Sequence, residues 1–339
     1  MSRRPVATRR VTISDVAAAA GVSVATVSKV INDRYGVAEG TSERVREVIE
    51  QLGYQSSLVA QSLRSRRTNV IGVLVSDIES FSAELLKGAA RAIRGTGFEL
   101  VVFSGLQRGE DRVGWEKRYL SRIGGTLTDG AILVTPSSVD VTFGAPVVAV
   151  DHNIASSSLP TVDSDNLRGA IEATEYLLGL GHRRIAFLAG RQDLESAHLR
   201  ERGYRQALAA AGIEVDRTLI RVGGYEAETA AAPARELLEL ADRPTAVFAA
   251  NDASAIQTMA VARELGLGVP DDLSVIGFDN IPESALTSPP LTTIEQSIQQ
   301  MGYDAVQLLL RLIAGEPIPA TQILLPTKLV VRGSCRDVR

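Results

Sequence analysis

Val24, Ala25, Ser28 and Lys29 fall on one side of a short helical pattern whose other side carries Val27, Val30 and Ile31. The apolar set recurs at spacings of three and four, so it is expected to be buried. That turns two small apolar side chains, a hydroxyl and an ammonium outward. Such a face, presented by the start of a helix, suits base edges in the major groove of DNA. The flanking residues supply the elements that would hold it. Thr12 and Asp15 stand at capping-box spacing and start a first helix near Ile13. Val16, Ala17 and Ala20 give that helix small packing groups. Gly21 then allows a sharp turn, and Ser23 caps a second helix over about 24–31. A third helix is expected over about 42–52, with Val45, Val48, Ile49 and Leu52 as its apolar stripe and Gly53 just beyond its end. Helix, glycine turn, helix and bracing helix is the helix-turn-helix plan; an unrelated three-helix cap shares the same coarse pattern.

Charge bears on that alternative. The 339 residues carry a net charge of −4, but residues 1–69 hold 11 Lys/Arg against 6 Asp/Glu, so the excess of acid lies in the rest of the chain. A basic head on an acidic body fits a polyanionic partner; a solvated basic tail is the plainer reading of charge alone. The length suggests about two domains and a small appendage, and 45% hydrophobic with 22% charged residues is a globular balance. No apolar run approaches the ~18 residues of a membrane span, and MSRRPVATRR has no apolar run behind its charges. No membrane partner and a cytoplasmic location are therefore expected.

Reactive chemistry is sparse. Cys335 is the single cysteine, which excludes an internal disulfide and fits a reducing compartment. His152, His182 and His198 do not cluster, so no metal site is expected. His182, just past a helical pattern, reads as a structural cap. Gly95-Thr96-Gly97 precedes a strand, the wrong order for a dinucleotide loop, and there is no Gly-x-Ser-x-Gly elbow. No enzymatic activity and no cofactor are expected.

From Val70 onward apolar runs alternate with amphipathic stretches. Strands are expected over 70–75, 99–103, 130–134, 147–150, 185–189, 246–249 and 275–278, with a last one over 328–331. Helices are expected over 82–93, 165–180, 199–211, 253–265 and 296–313. The alternation predicts an α/β fold of parallel sheets with helices on both faces. So many strands suit two lobes, with a cleft beyond the carboxyl ends of the strands as the default ligand site.

The quoted residues resemble a known family. Thr12, Asp15, Val16, Ala17, Ala20-Gly21-Val22-Ser23, Thr26-Val27-Ser28 and Asn32, then Tyr54, Ala60-Gln61-Ser62-Leu63 and Ile71-Gly72-Val73, are similar to the LacI/GalR (lactose repressor/galactose repressor) family. The similarity runs to about residue 334. It implies a basic arm over 1–10, a helix-turn-helix DNA-binding domain over 11–56, and a hinge helix and linker over 57–69. A two-lobed periplasmic-binding-protein-like core follows over 70–339. Thr12 and Asn32 become DNA-binding positions, Ser23, Thr26 and Ser28 phosphate contacts, and Val24 and Ala25 the base-choosing pair, of the galactose-repressor kind. Lys29 stands where the family usually has an arginine reaching guanine; a point charge replaces a planar fork and softens discrimination there. Ser57, Ala60, Leu63 and Arg64 match the hinge helix, with Leu63 the wedge that kinks the central minor-groove step. Leu63 taken alone is an ordinary linker leucine. Ser56-Ser57 replaces the family's usual Pro-Asn, which implies a looser hinge.

In the core the resemblance implies ligand contacts from Asn251, Asp279, Arg200, Ser196 one turn before it, Tyr225 and Gln296 at the cleft rim. Phe81 is implied where the family often has paired aromatics. Each alone is also an ordinary structural residue. Together an Asp, an Asn, an Arg and a ring suit vicinal hydroxyls on an apolar sugar face. Three passes of the chain between lobes are implied near Asp165, Ile294 and Pro326. The whole implies a repressor on a pseudo-palindromic double-stranded operator, controlled by a small-molecule effector, and a homodimer rather than a tethered tetramer, since no C-terminal leucine heptad follows the last strand. A sugar-binding transport protein would lack the DNA head, an enzyme would need a nucleophile and base, and a regulator indifferent to any effector would share the same core.

Overall fold

A computed structural model describes residues 11–31, 34–54, 67–105, 115–123, 127–137, 144–152, 159–318 and 320–339. The chain divides between Thr68 and Asn69 into two units.

In the first unit the local signals act as expected. Thr12 accepts from the Asp15 amide while Asp15 Oδ2 accepts from the Thr12 amide at 2.8 Å, a closed capping box that starts α1 (Ile13–Ala20). Gly21 takes φ 65° and satisfies the helix end. Ser23 Oγ accepts from the Thr26 amide at 3.1 Å and starts α2 (Val24–Ile31). The third helix, α3 (Glu39–Leu52), begins three residues earlier than its apolar stripe suggested, with Glu39 in the first turn, where a carboxylate meets the positive end of the helix. Val16, Ala17, Ala20, Val27, Val30 and Val45 form the core of the unit, with Val48 and Ile49 packed partly against it. Leu52 is exposed and is not part of it.

The second unit holds two six-stranded sheets. The first runs β2 (Glu99–Ser104), β1 (Val70–Val75), β3 (Gly130–Val134), β4 (Val147–Val150), β5 (Thr161–Ser164) and β11 (Gln322–Leu325), all parallel. The second runs β7 (Ile220–Val222), β6 (Ile185–Ala189), β8 (Ala246–Ala249), β9 (Ser274–Asp279), β10 (Thr292–Glu295) and β12 (Lys328–Val330), parallel except for β12. Most central strands are buried along their whole length, as parallel strands covered on both faces must be.

Helices α4 (Ser80–Ala92), α5 (Trp115–Ile123) and α10 (Ile298–Ala314) serve the first lobe. Helices α6 (Asn166–Gly179), α7 (Glu195–Ala210), α8 (Ala227–Leu238) and α9 (Asp252–Glu264) serve the second. The chain crosses between lobes three times: from β5 to α6, from β10 to α10 and from β11 to β12. Helix α10, late in sequence, thus packs on α4 in the first lobe. The approach is close because Gly88 and Gly302 face the partner backbone, where a Cβ would overlap the Gln299 and Leu85 carbonyls.

Strands β5, β7, β10 and β11 and helices α5 and α8 are absent from the sequence-based expectation. Strands β5 and β10, Thr-Val-Asp-Ser and Thr-Thr-Ile-Glu, are too polar to read as core, yet nearly all of their residues are buried. Helix α8 contains Pro233, which argues against a helix, but Ala230, Ala234, Leu237 and Leu238 bury one side of it.

Candidate functional site

The first unit presents the expected outward face except at Ser28. Val24, Ala25 and Lys29 are exposed on α2, and Thr26 and Ser28 are half-buried. Thr12 and Ser23 are exposed, and each caps a helix. Ser23 Oγ and Thr26 Oγ1 lie 2.9 Å apart, so the two hydroxyls hold one another at the helix start. Asn32, Ser57, Ala60, Leu63 and Arg64 lie outside the described residues, as do the arm over 1–10 and most of the linker.

The second unit encloses a cavity of about 340 Å3 between its sheets. Its wall is built from residues that follow strand ends: Ser76 and Asp77 after β1, Thr135 after β3, Asp151 after β4, Arg191 after β6, Asn251 after β8, Asp279 ending β9 and Gln296 after β10. Both sheets reverse strand order beside their first strand, β1 or β6, and open α/β sheets bind ligands at such points. Thr135 (φ 46°), Asp151 (φ 51°) and Asp279 (φ 119°) hold left-handed backbone conformations that cost energy for residues with side chains. The fold retains that strain where its strands open into the cavity.

Arg200 and Asp279 form the centre. Arg200, 3% exposed, donates from Nε to Asn166 Oδ1 at 2.9 Å and from Nη1 to the Ala250 carbonyl. Its guanidinium lies 3.8 Å from the Phe278 ring centre and 5.5 Å from that of Tyr225. Asp279 Oδ1 receives Gln296 Nε2 at 2.5 Å and Arg200 Nη1 at 3.4 Å. Among the described residues no donor reaches Asp279 Oδ2, and the residue lines the cavity. Burial drives the Asp279 carboxyl well above its ordinary pKa, against the pull of Arg200. Asp151 is likewise raised, by burial first.

Of the expected effector residues, Phe81, Arg200, Tyr225, Asn251, Asp279 and Gln296 come together in this wall. Two expectations need correction. Ser196 does not line the cavity; it lies behind Tyr225, with its Oγ 3.2 Å from the phenol oxygen. Gln296 is not at the rim: it is 2% exposed and ties Asp279 to Ser164, whose Oγ is 3.0 Å from Gln296 Oε1. Asn251 is partly committed to structure, since Oδ1 caps α9 through the Ser254 amide and Nδ2 donates to the Tyr225 carbonyl. His182 is a structural cap as expected: its amide donates to the Leu177 carbonyl at 3.2 Å past the end of α6, and its ring also bridges Thr245 and Ser274 at 2.9 Å each.

Sequence reasoning missed Thr135, Asp151, Arg191 and the acidic pair Asp77 and Glu79. Each stands within four residues of the end of a strand that was expected. The strand-end rule, applied to every strand, would have found them.

Comparison with known proteins gives two family matches. Residues 12–57 match the model described as bacterial regulatory proteins, lacI family, and residues 174–335 match a periplasmic binding protein-like domain. The chain is 36% identical to the HTH-type transcriptional regulator CelR of Thermobifida fusca, over 96% of this chain and 98% of that one. It is similar to a solved CelR–cellobiose complex (TM-score 0.71, 34% identity, 96% of this chain and 100% of that one). It is also similar to the lac repressor dimer bound to operator and the anti-inducer ONPF (TM-score 0.82, 29% identity, 97% and 100%).

Proposed function

The chain belongs to the lacI family of bacterial regulatory proteins as a DNA-binding transcriptional regulator, and on that premise we propose that it is a cytoplasmic, homodimeric repressor without enzymatic activity. Two copies of α2 read the halves of a pseudo-palindromic operator through Val24, Ala25 and Lys29, while Thr12, Ser23, Thr26, Ser28 and Asn32 hold the backbone. Leu63 wedges the centre of the site, flanked by Ser57, Ala60 and Arg64. A sugar bound between the lobes sets operator affinity. Cellobiose is the first candidate, because a relative covering nearly the whole chain is solved with it.

The observation that carries this reading is the pairing of Arg200 with Asp279 at the floor of a cavity built from strand ends. Asp279 Oδ2 accepts from sugar hydroxyls, and the Tyr225 ring offers an apolar surface to the sugar face. A ligand that touches both lobes fixes the angle between them, and in a dimer that angle sets how the two heads meet DNA. Coupling of this kind amounts to ~1–3 kcal/mol between the sites.

The test uses the purified full chain. Duplexes selected from a random pool are expected to be two-fold symmetric, with affinity falling steeply with salt. Cellobiose is expected to change that affinity about 5- to 150-fold. Selection of no symmetric sequence, or operator affinity indifferent to every sugar tried, overturns the proposal.

A further inference from the structure

Three helices, α4, α8 and α9, begin at the cavity wall, and each start carries its own acid. Glu79 caps α4, its carboxylate accepting from the Phe81 and Ser82 amides. Glu226 precedes α8 and Glu228 lies in its first turn. Asp252 opens α9. Helix starts bind anions because their amides are unsatisfied and the helix dipole is positive there. At α4 the Glu79 carboxylate meets that potential and at α9 the Asn251 side chain does, while at α8, which no side chain caps, Glu226 and Glu228 set two negative charges.

The cations nearby are equally committed. The cavity is lined by Asp77, Glu79, Asp151, Glu226, Glu228 and Asp279 against two arginines, Arg191 and Arg200. Arg191 pairs with Asp193 at 2.5 Å. Arg200 pairs with Asp279 and also donates to Asn166 and a backbone carbonyl. Segments 106–114, 138–143 and 153–158, which follow β2, β3 and β4 in sequence, carry no net positive charge.

We infer that the cavity selects a ligand without negative charge and rejects the phosphorylated and carboxylated forms of the same sugar. This rests on the reading of the cavity as a sugar site. A phosphate or uronate would enter a wall of like charge, find no uncommitted cation among the described residues, and at α4 have to displace the Glu79 carboxylate. Neutral hydroxyls need none of this: they donate to the carboxylates and accept from the amide side chains. The selection therefore acts through repulsion of the wrong ligand as well as attraction of the right one.

Calorimetric titration and thermal shift of the full chain test this with glucose, galactose, cellobiose, lactose and maltose, set beside glucose 6-phosphate, galactose 6-phosphate, glucuronate and cellobionate. At low salt at least one neutral sugar is expected to bind about 100-fold or more tightly than its anionic counterpart. Added KCl should narrow the gap by screening. The double variant Asp77→Asn/Glu228→Gln, at two exposed positions, should narrow it about tenfold. An anionic derivative that binds as tightly as its neutral parent, or a gap unmoved by the double variant, overturns the charge selection while leaving the sugar reading intact. No binding by any sugar in the panel overturns both.

Discussion

Gly190 lies directly beneath the Tyr225 ring, so close that a Cβ at position 190 would overlap the ring carbons. Tyr225 lines the cavity, and its phenol oxygen stands 3.2 Å from Ser196 Oγ. Gly190→Ala should displace the ring and cost about 1–3 kcal/mol of stability, the usual penalty for overfilling a packed site. It should also weaken effector binding. A urea unfolding curve and a sugar titration on the same preparation check both; wild-type values in the two would mean that the ring does not depend on Gly190.

Arg200 and Asp279 are 3% and 6% exposed and pair at the cavity wall. Arg200→Met should leave the buried Asp279 carboxyl with the Gln296 amide but no cation, and lower the unfolding free energy by about 3–5 kcal/mol. Arg200→Lys keeps a charge but not the planar fork that reaches Asn166 and Ala250 together, and should fall between. Denaturant unfolding orders the three proteins. A methionine variant as stable as the parent would mean that the pair contributes nothing net to the core.

The sequence made the helix starts and central strands legible because single residues dictate them. Thr12, Ser23 and Gly21 each fix one hydrogen bond or one dihedral, and the strands beginning at Val70, Gly130, Val147, Ile185 and Ala246 are unbroken apolar runs. Strands β5 and β10 stayed hidden because they mix buried polar groups with apolar ones. Asp163 in β5 meets His152 and Gln322, and Thr293 in β10 meets Asp252; these partners are distant in sequence. Ser196 and Gln296 were misplaced for a related reason. Whether a residue lines a cavity or braces its wall depends on which way its chain turns after the strand, and spacing along the sequence does not carry that.

Asp252 accepts from Thr293 Oγ1 at 2.5 Å and from the Ile281 amide at 3.0 Å, and burial raises its carboxyl to a pKa of about 7. An aspartate in the unfolded chain titrates at about 3.9. The folded form therefore binds the proton more tightly, which adds stability that is complete below about 4 and is lost as pH rises through about 7. Asp252→Asn cannot titrate. The unfolding free energy of the parent minus that of Asp252→Asn should fall between pH 5 and pH 8, as followed by chemical denaturation at each pH. A difference flat across that range would contradict the raised value.

Lys29 is exposed on α2 beside Val24 and Ala25. If it reaches a base, Lys29→Ala should cost about 1–3 kcal/mol against one operator sequence and relax preference at a single pair per half-site. Binding measured on the selected operator and on its single-base variants separates the cases. An equal loss on every sequence, with a shallower salt dependence, would make Lys29 a phosphate contact instead.

The three passages of backbone between the lobes, β5 to α6, β10 to α10 and β11 to β12, have a mechanical consequence. Two bodies joined by one strap can swing, twist and slide; joined by three straps side by side, they keep one easy rotation, because every other movement must stretch a strap. A small molecule seated between the plates then has a single angle to arrest. The chain has restricted the remaining freedoms in advance, so a few polar contacts are enough to set the posture of the whole body.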